Sequence, residues 1–302
     1  VALNCVVNGI LLRKRIFDNV WIQPAAGDAG GALGAALSIW YLHHKKKRKT
    51  SSGLDSMKGA YLGPDFEDKE IESTLKACGA IYKKLEEEDL IEMVAAALAD
   101  KKAIGWMQGR MEFGPRALGS RSIIADPRSK IMQKQLNIKV KYRESFRPFA
   151  PSVLREHVND WFDHDADSPY MLIVADVQKD KRLAMTPDEE KLFGIDKLNV
   201  PRSSVPAITH IDYSARIQTV HADTNPKYHA LISKFKEKTG CPLVVNTSFN
   251  VRGEPIVCSP MDAFKCFMGT ELDILAIGNY LLIKEEQNEA LKEKYEERYE
   301  LD

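Results

Sequence analysis

The chain has 302 residues, and its 43 Lys and Arg balance 43 Asp and Glu, so its formal net charge is zero. A hydrophobic share of 44% is that of a globular protein with a sizeable core, in one large domain or two smaller ones. This composition disfavours whole-chain disorder and a uniformly basic nucleic-acid-binding protein. The charge is nevertheless segregated. Residues 109–155 carry seven Arg and four Lys against three acids, whereas residues 285–302 carry eight acids against three bases.

The cysteines and the hydropathy pattern bear on the compartment. The five cysteines are odd in number and form no C-x-x-C pair, which predicts reduced thiols in the cytoplasm. No apolar stretch approaches the ~18 residues of a membrane span, and no signal-peptide pattern is present. The sequence opens on Val1 and runs directly into an apolar stretch, so we expect a piece of a longer protein. It contains neither H-E-x-x-H nor G-x-S-x-G, which disfavours zinc and serine hydrolases.

The first third of the chain predicts a small-residue segment followed by the start of an α/β domain. Short apolar segments alternate over residues 1–24, and a Gly-rich turn then leads into a helix that ends near Trp40. The basic run at 43–49 and the polar residues after it predict a boundary or linker. Helices are predicted over residues 67–77 and from a cap at Asp89, with an apolar stripe of Leu90, Met93, Val94, Ala97 and Leu98.

Strands and helices alternate in the rest of the chain, which predicts an α/β fold. A helix beginning at Asn225 and Pro226 has strong start signals, as does a second one beginning at Ser259 and Pro260. Residues 178–205 are polar and mixed, and they predict an excursion from the domain. Strands are predicted at 103–107, 170–177, 242–246, 273–277 and 280–283, a helix at 129–136, and a solvated helix in the acidic tail.

One Gly-rich and Arg-rich loop, residues 108–122, directly follows the predicted strand at 103–107. Arg110, Arg116 and Arg121 offer planar guanidinium groups suited to phosphate, and the glycines, Gly114 among them, allow close approach of the backbone. Ligand loops occupy this position in open α/β sheets. The loop is not a P-loop, because G-x-x-x-x-G-K-[ST] is absent. The alternative is an exposed surface of salt bridges.

A second basic segment covers residues 139–151. Lys139, Lys141 and Arg143 would point to one side if the segment is extended, and Arg147 precedes a proline that favours extended geometry. Basic residues interleaved with aromatic residues are also compatible with RNA contact, which stays open as an alternative.

A third segment follows the predicted strand at 242–246. Its side-chain amides and hydroxyls could bind a phosphate or a small carbonyl compound, and Arg252 adds a cation. The alternative is a turn whose polar groups satisfy one another. A weaker fourth segment contains Arg216 just before a strand. The polar members of the third segment are Asn246, Thr247, Ser248 and Asn250.

Four motifs in this order resemble those of the O-carbamoyltransferases, a family that includes nodulation-type proteins and antibiotic-tailoring enzymes. The resemblance extends from residue 1 to about residue 284. The motifs are Gly109-Arg-Met-Glu-Phe-Gly-Pro-Arg-Ala-Leu-Gly-Ser-Arg-Ser122, Phe146-Arg-Pro-Phe-Ala-Pro151, Ser214-Ala-Arg-Ile-Gln-Thr-Val220 and Asn246-Thr-Ser-Phe-Asn-Val-Arg-Gly-Glu-Pro255.

The resemblance implies a division of the chain. Residues 1–50 resemble the last part of an actin/sugar-kinase-like transfer domain related to the tRNA threonylcarbamoyl transferases. Residues 51–288 resemble a YrdC-like domain, a twisted open sheet with flanking helices, and residues 289–302 form an acidic helical tail. Asp28 matches a metal ligand of the family. The family's histidine ligands come from an earlier H-x-x-x-H segment that this sequence lacks, so we expect its iron-type site to be incomplete here.

The resemblance also implies chemistry for residues 51–284. Carbamoyl phosphate and Mg²⁺-ATP would form carbamoyl-adenylate, and the missing N-terminal domain would pass the carbamoyl group to a hydroxyl on a small-molecule acceptor. An RNA-associated threonylcarbamoyl-adenylate synthase and a non-catalytic nucleotide-binding module remain alternatives. The implied catalytic residues are Arg110, Arg116, Arg121 and Arg147. The implied ligands of carbamoyl phosphate or ATP are Glu112, Gly114, Ser122, Lys141, Arg143, Arg216, Asn246, Thr247, Ser248, Asn250 and Arg252.

Overall fold

Within residues 1–49 and 55–292, which the computed structural model describes, nine strands form one mixed sheet, and the predicted α/β class is confirmed. The sheet order is β1-β9-β8-β2-β3-β7-β4-β6-β5, with β2/β8 and β4/β6 parallel and the other pairs antiparallel. The strands are β1 (Lys83–Lys84), β2 (Ile104–Met107), β3 (Arg121–Ala125), β4 (Ala150–Leu154), β5 (Ile173–Asp176), β6 (Ser214–Val220), β7 (Leu243–Ser248), β8 (Ile274–Ile277) and β9 (Tyr280–Ile283).

Helices cover the sheet and fill the connections. α9 packs on β4 and β7 and against α4, whereas α10 packs on β2 and β8 and against α3. The helices are α1 (Cys5–Arg13), α2 (Gly30–Ser38), α3 (Asp68–Ala77), α4 (Glu87–Ala99), α5 (Met132–Gln135), α6 (Val158–Trp161), α7 (Pro187–Glu190), α8 (Gly194–Leu198), α9 (Pro226–Thr239) and α10 (Pro260–Gly269). α2 continues into a π-helical turn, Ile39–His43, and α5 into another, Leu136–Val140.

The predicted start signals of α9 and α10 are confirmed. The side chain of Asn225 accepts a hydrogen bond from the amide of Tyr228, and that of Ser259 accepts one from Asp262. Both caps satisfy a backbone N–H that the first turn leaves without a partner, and a proline follows each of them. α9 ends at Gly240 in the left-handed conformation, as predicted.

Three predictions of local structure were wrong in detail, and a fourth, the helical tail, is tested only up to residue 292. α4 begins at Glu87 after the cap residue Glu86, so Asp89 lies inside its first turn. Its buried face includes Ile91, whereas Met93 is exposed. Residues 5–13 form the helix α1, because Asn4 caps it by accepting the amide of Val7. The tail contains only short 3₁₀ turns up to residue 292, and residues 293–302 lie outside the described part.

Strand register gathers the polar motifs at one edge of the sheet. Met107, the last residue of β2, pairs with Arg121, the first residue of β3. Ser122 then pairs with Ser248 at the end of β7, and Asn246 pairs with Ala150 at the start of β4. The ends of β2 and β7 and the starts of β3 and β4 therefore lie side by side. The connections that carry the segments at 108–122, 139–151 and 246–255 leave or enter the sheet there.

α1 packs on the β5 end of the sheet. Gly9 lies so close to the Val174 carbonyl oxygen that a Cβ atom would overlap it. The Asn8 side chain donates to the carbonyl of Leu172 at 3.0 Å, and the Arg13 guanidinium donates to that of Val174 at 3.0 Å. The predicted boundary near residue 50 falls at residues 50–54, outside the described part. No helix among the described residues is long and apolar enough to cross a membrane.

Replacement of Gly9 by alanine tests the docking of α1. The added Cβ would overlap the Val174 carbonyl, and we expect it to weaken docking by about 1–3 kcal/mol. The readout is the rate of tryptic cleavage after Lys14 or Arg15, which follows the population of the undocked helix. Gly31→Ala is the matched control, because nothing lies within 4 Å of its added Cβ in α2. Equal cleavage rates in the two variants would contradict this packing.

Candidate anion-binding site

A buried carboxylate organises the loop between β2 and β3. Glu112 is only 6% exposed, and its Oε1 accepts the backbone N–H groups of Leu118 at 2.6 Å, Ser120 at 2.8 Å and Arg121 at 3.3 Å. Hydrogen bonds to an ionised acceptor are stronger than neutral ones. Glu112 therefore supports the loop from within through Oε1, and its contact with a ligand stays a prediction.

Other buried side chains hold the carbonyl groups of the same segment. Trp106 Nε1 donates to the carbonyl of Gly119 at 2.9 Å, and the Ser122 hydroxyl accepts the Gly119 amide at 3.0 Å. Almost every backbone polar group from residue 117 to residue 121 thus has a side-chain partner. The further donors are Asn246 to the carbonyl of Ala117 (3.1 Å), and Tyr61 and Gln218 to that of Leu118 (2.8 and 2.7 Å).

Arg121 also supports this loop from within. It is fully buried, and its guanidinium donates to backbone carbonyls of residues 64, 108, 109, 120 and 258. Burial lowers the pKa of Arg121 from its usual value, although the carboxylate of Glu112 acts in the opposite direction. With its donors directed at carbonyl groups, Arg121 supports the loop, and its role toward a ligand stays a prediction.

Three other arginines form a cationic cluster above this support. Burial, followed by the charges of Arg116 and Arg143, lowers the pKa of Arg216 to about 10. Burial and the charge of Arg147 lower the pKa of Arg143 to about 10 as well. Burial is the main cause of both shifts, and the smaller contributions indicate that Arg116 and Arg143 are cationic neighbours of Arg216. We call Arg116, Arg143 and Arg216 the cationic cluster.

Arg116 stands out within the cationic cluster. It is half-buried, and its Nε is enclosed without a hydrogen-bond partner in the described part of the chain. Its loop is held from the other side at Gly114, which has φ +142° and lies against the backbone of Pro24 and Ala25. An enclosed guanidinium N–H that lacks an acceptor is suited to an anionic ligand.

The remaining predicted arginines lie outside this cluster. Arg110 is exposed on the preceding turn, and exposed Arg147 pairs with Glu144 at 2.9 Å. Arg252 is half-buried. A backbone hydrogen bond at Glu144 is the main cause that lowers the pKa of Glu144, and the charge of Arg252 contributes to the same shift. Of the three, Arg147 neighbours the cluster, because its charge, after burial, contributes to the lowered pKa of Arg143.

The polar side chains of the motif at 246–255 are divided between the two faces of β7. Asn246 and Ser248 share one face, and Thr247 points to the other, because side chains alternate along a strand. Asn246 is buried and donates to Ser152 Oγ and Gln218 Oε1, both at 2.9 Å. The predicted set is therefore not one continuous ligand surface. Ser248 and Asn250 remain half-buried at the edge of the sheet.

The prediction that Lys139, Lys141 and Arg143 share one side was wrong. The segment forms the π-helical turn Leu136–Val140, so the period-2 alternation of an extended chain does not apply. Lys139 is exposed, Lys141 is buried, and Arg143 donates to Asn137 Oδ1 at 2.7 Å while stacking on Phe149 at 5.1 Å.

Asp28 is exposed at the turn before α2. Among the described residues, no group of three or more His, Cys, Asp or Glu side chains is placed to hold a metal ion. The donor set around Asp28 in this chain therefore does not fit an iron-type ion, and no step is derived through one.

Sequence reasoning missed the side chains that hold the loop, namely Tyr61, Trp106, Ser152 and Gln218. Ser152, in the otherwise apolar strand β4, donates to Gln218 Oε1 at 2.6 Å. An isolated polar residue within an apolar strand was the available signal, because a buried polar group requires a partner.

The fold and the site define an α/β protein with a preformed, positively charged site at the edge of its sheet. The chain belongs to the carbamoyltransferase family: residues 95–284 match the model described as Carbamoyltransferase C-terminus, and residues 1–37 match Carbamoyltransferase N-terminus. The resemblance stated from the motifs is confirmed.

Similar proteins include the uncharacterized protein sll1178 of Synechocystis, 59% identical over all of this chain and 49% of its own length. Nodulation protein NolNO of Sinorhizobium fredii is 42% identical over 94% of this chain and 39% of its own length. The 3'-hydroxymethylcephem-O-carbamoyltransferase of Amycolatopsis lactamdurans is 31% identical over 85% of this chain and 42% of its own length. The chain thus spans about half the length of these relatives or less.

Replacement of Glu112 tests the support of the loop. Glu112→Ala leaves three buried backbone N–H groups without an acceptor, and we expect the free energy of unfolding to fall by at least about 3 kcal/mol. Glu112→Gln keeps one carbonyl oxygen and should lose less. Urea unfolding measures both, with Glu88→Ala, an exposed change in α4, as the control. If Glu112→Ala proved no more destabilising than Glu88→Ala, the carboxylate would not hold the loop.

Proposed function

We propose that this chain contributes the adenylate-forming part of an ATP-dependent O-carbamoyltransferase. It would bind carbamoyl phosphate and Mg²⁺-ATP and form carbamoyl-adenylate. The observation that carries the proposal is the cationic cluster, which stands on a loop whose backbone is already held, in a member of the carbamoyltransferase family.

The electrostatics of the cluster favour a multiply charged anion. Burial, and then the charges of Arg116 and Arg143, lower the pKa of Arg216, and a bound anion would offset the repulsive part of this effect. Guanidinium groups bind phosphate oxygens through paired hydrogen bonds. Because the loop is ordered before the ligand arrives, less binding energy is lost in ordering it.

The proposed reaction balances without an external redox agent. Cleavage of carbamoyl phosphate by water releases inorganic phosphate and carbamate, and a carbamate oxygen then attacks the α-phosphorus of ATP. The bond from the α-phosphorus to the bridging oxygen breaks, and pyrophosphate leaves. The cluster would neutralise the charge of the reactants and hold them together, while Mg²⁺ would accompany the ATP phosphates. Ser248 and Asn250 would contact carbamoyl or phosphate oxygens at the rim.

The finer assignments of fold are part of the same proposal. Residues 51–288 would form a YrdC-like domain, residues 1–50 would belong to an actin/sugar-kinase-like domain, and residues 289–302 would form an acidic tail. The carbamoyl group would pass to a hydroxyl-bearing small molecule within the remainder of that N-terminal domain. Support comes from the match of residues 1–37 to the N-terminal family model and from the name of the cephem relative.

A threonylcarbamoyl-adenylate synthase is the rival chemistry, and a nucleotide-binding module without catalysis is the third possibility. ATP–pyrophosphate exchange separates them. We expect carbamoyl phosphate to stimulate exchange, whereas threonine with bicarbonate should not. ATP binding without exchange under either condition would contradict the proposal and favour the non-catalytic module.

Arg116→Ala tests the role of the cluster. Loss of a charged group that is aimed at the reacting phosphate should lower carbamoyl-phosphate-stimulated exchange by roughly 100-fold. Thermal stability should change little, because Arg116 Nε has no partner to lose in the described part of the chain. Lys134→Ala removes the same charge from an exposed position of α5 and serves as the matched control. Equal exchange by the two variants would remove Arg116 from the site.

A further inference from the structure

A buried ammonium joins two of the site's segments. Lys141 is 3% exposed, and its Nζ reaches four oxygens of the turn at residues 248–250. These are the carbonyl and the hydroxyl of Ser248, the latter at 3.3 Å, and the carbonyl and side-chain oxygen of Asn250, at 2.9 and 2.8 Å. Lys141 follows the π-helical turn Leu136–Val140 and lies two residues before Arg143 of the cationic cluster.

The connection from Lys141 to Arg143 is stiff. Tyr142, between them, has φ +47°, a left-handed conformation that non-glycine residues seldom adopt, and its hydroxyl donates to the Gly269 carbonyl at 2.8 Å. Arg143 is held in turn by Asn137 and Phe149. The contacts of Lys141 therefore connect the 248–250 turn to a backbone segment whose next two residues are themselves held in place.

The four oxygens favour the charged form of Lys141, whereas burial opposes it. An ammonium has three N–H donors to distribute among them, whereas a neutral amine has two donors and a lone pair that would face an oxygen. Proton loss would thus leave acceptors in the turn without a donor, at a cost typical of buried polar groups.

We propose that Lys141 is a positioning residue whose ammonium fastens the 248–250 turn to the segment that carries Arg143, so that loss of its proton weakens binding of the anionic substrate. The identity of that anion rests on the proposed function. The fastening itself rests only on the contacts of Lys141.

The surroundings place this proton loss near neutral pH. Burial, followed by the charge of Arg143, lowers the pKa of Lys141 to about 7, while Cys266 of α10 and Glu254 of the loop after β7 act in the opposite direction. Burial raises the pKa of the Cys266 thiol well above its usual value, so this group is neutral at neutral pH. Glu254 is buried, and its carboxylate accepts the amide of Val251 at 2.9 Å.

The two pH dependences have opposite signs. The pKa of Lys141 is about 7 in the folded state and 10.5 for an ordinary lysine. Between these values the unfolded chain binds more protons than the folded one. The free energy of unfolding therefore rises with pH in that range. Binding of the anion should fall over the first part of the same range. If Lys141 mattered only for stability, the affinity for the anion and the free energy of unfolding would change with pH in the same direction. We expect them to change in opposite directions.

Calorimetric titration of the protein with carbamoyl phosphate from pH 6 to pH 9 tests the effect on binding. We expect wild-type affinity to fall about 10-fold more over this range than that of Lys141→Arg, whose charge persists throughout. Ionisation of the ligand affects both proteins equally, so the ratio of their affinities removes its contribution. Lys141→Met, similar in length and uncharged, should bind more weakly than wild type at pH 6. Parallel profiles for wild type and Lys141→Arg, or wild-type affinity in Lys141→Met at pH 6, would overturn the proposal.

Amide hydrogen exchange tests the fastening without any ligand. The amides of Phe249 and Asn250 donate to the carbonyls of Arg121 and Ser248, at 3.0 and 3.1 Å, and report on the turn. Lys141→Met should exchange them at least about 10-fold faster than wild type at pH 6, with β2 and β8 unchanged. Unchanged protection of the turn would overturn the fastening. If wild type failed to bind carbamoyl phosphate while the turn still lost protection in Lys141→Met, only the proposed function would fail.

Discussion

The site depends on one constraint: buried side chains hold the backbone of residues 117–121. Glu112 accepts the N–H groups of residues 118, 120 and 121. Side chains from β2, β6 and β7 donate to the carbonyls of residues 117 to 119. The strand register that aligns these elements is therefore what fixes the loop. Arg116 is displayed by a segment that has little freedom left to lose when a ligand binds.

The same constraint divides the basic residues of this region into two groups. Arg121 and Lys141 are buried, and their N–H groups donate to backbone and side-chain oxygens of the protein. They therefore stabilise the site from within. After burial, the charges of Arg116 and Arg143 contribute to the lowered pKa of Arg216. The local excess of positive charge in a chain of zero net charge thus has two physical purposes, support of the loop and attraction of an anion.

The sequence was informative where local rules decide the structure. Asn225-Pro226 and Ser259-Pro260 marked helix starts because capping is a matter of neighbouring residues. The motifs at residues 109–122 and 246–255 were recognised, and sheet register does bring them together. Sequence alone could not tell that Arg121 turns inward while Arg116 does not, because that difference arises from carbonyls up to 137 positions distant. The position of Lys141 was missed because a π-helical turn replaces the alternation that an extended segment would have.

Structures of the protein crystallised with and without carbamoyl phosphate would test the central claim most directly. We expect residues 112–121 to have the same backbone in both, within about 1 Å, with the three Glu112 hydrogen bonds already present in the free protein. The ligand should lie against Arg116. A loop that is disordered or displaced by several Å without ligand, and ordered only with it, would contradict a preformed site.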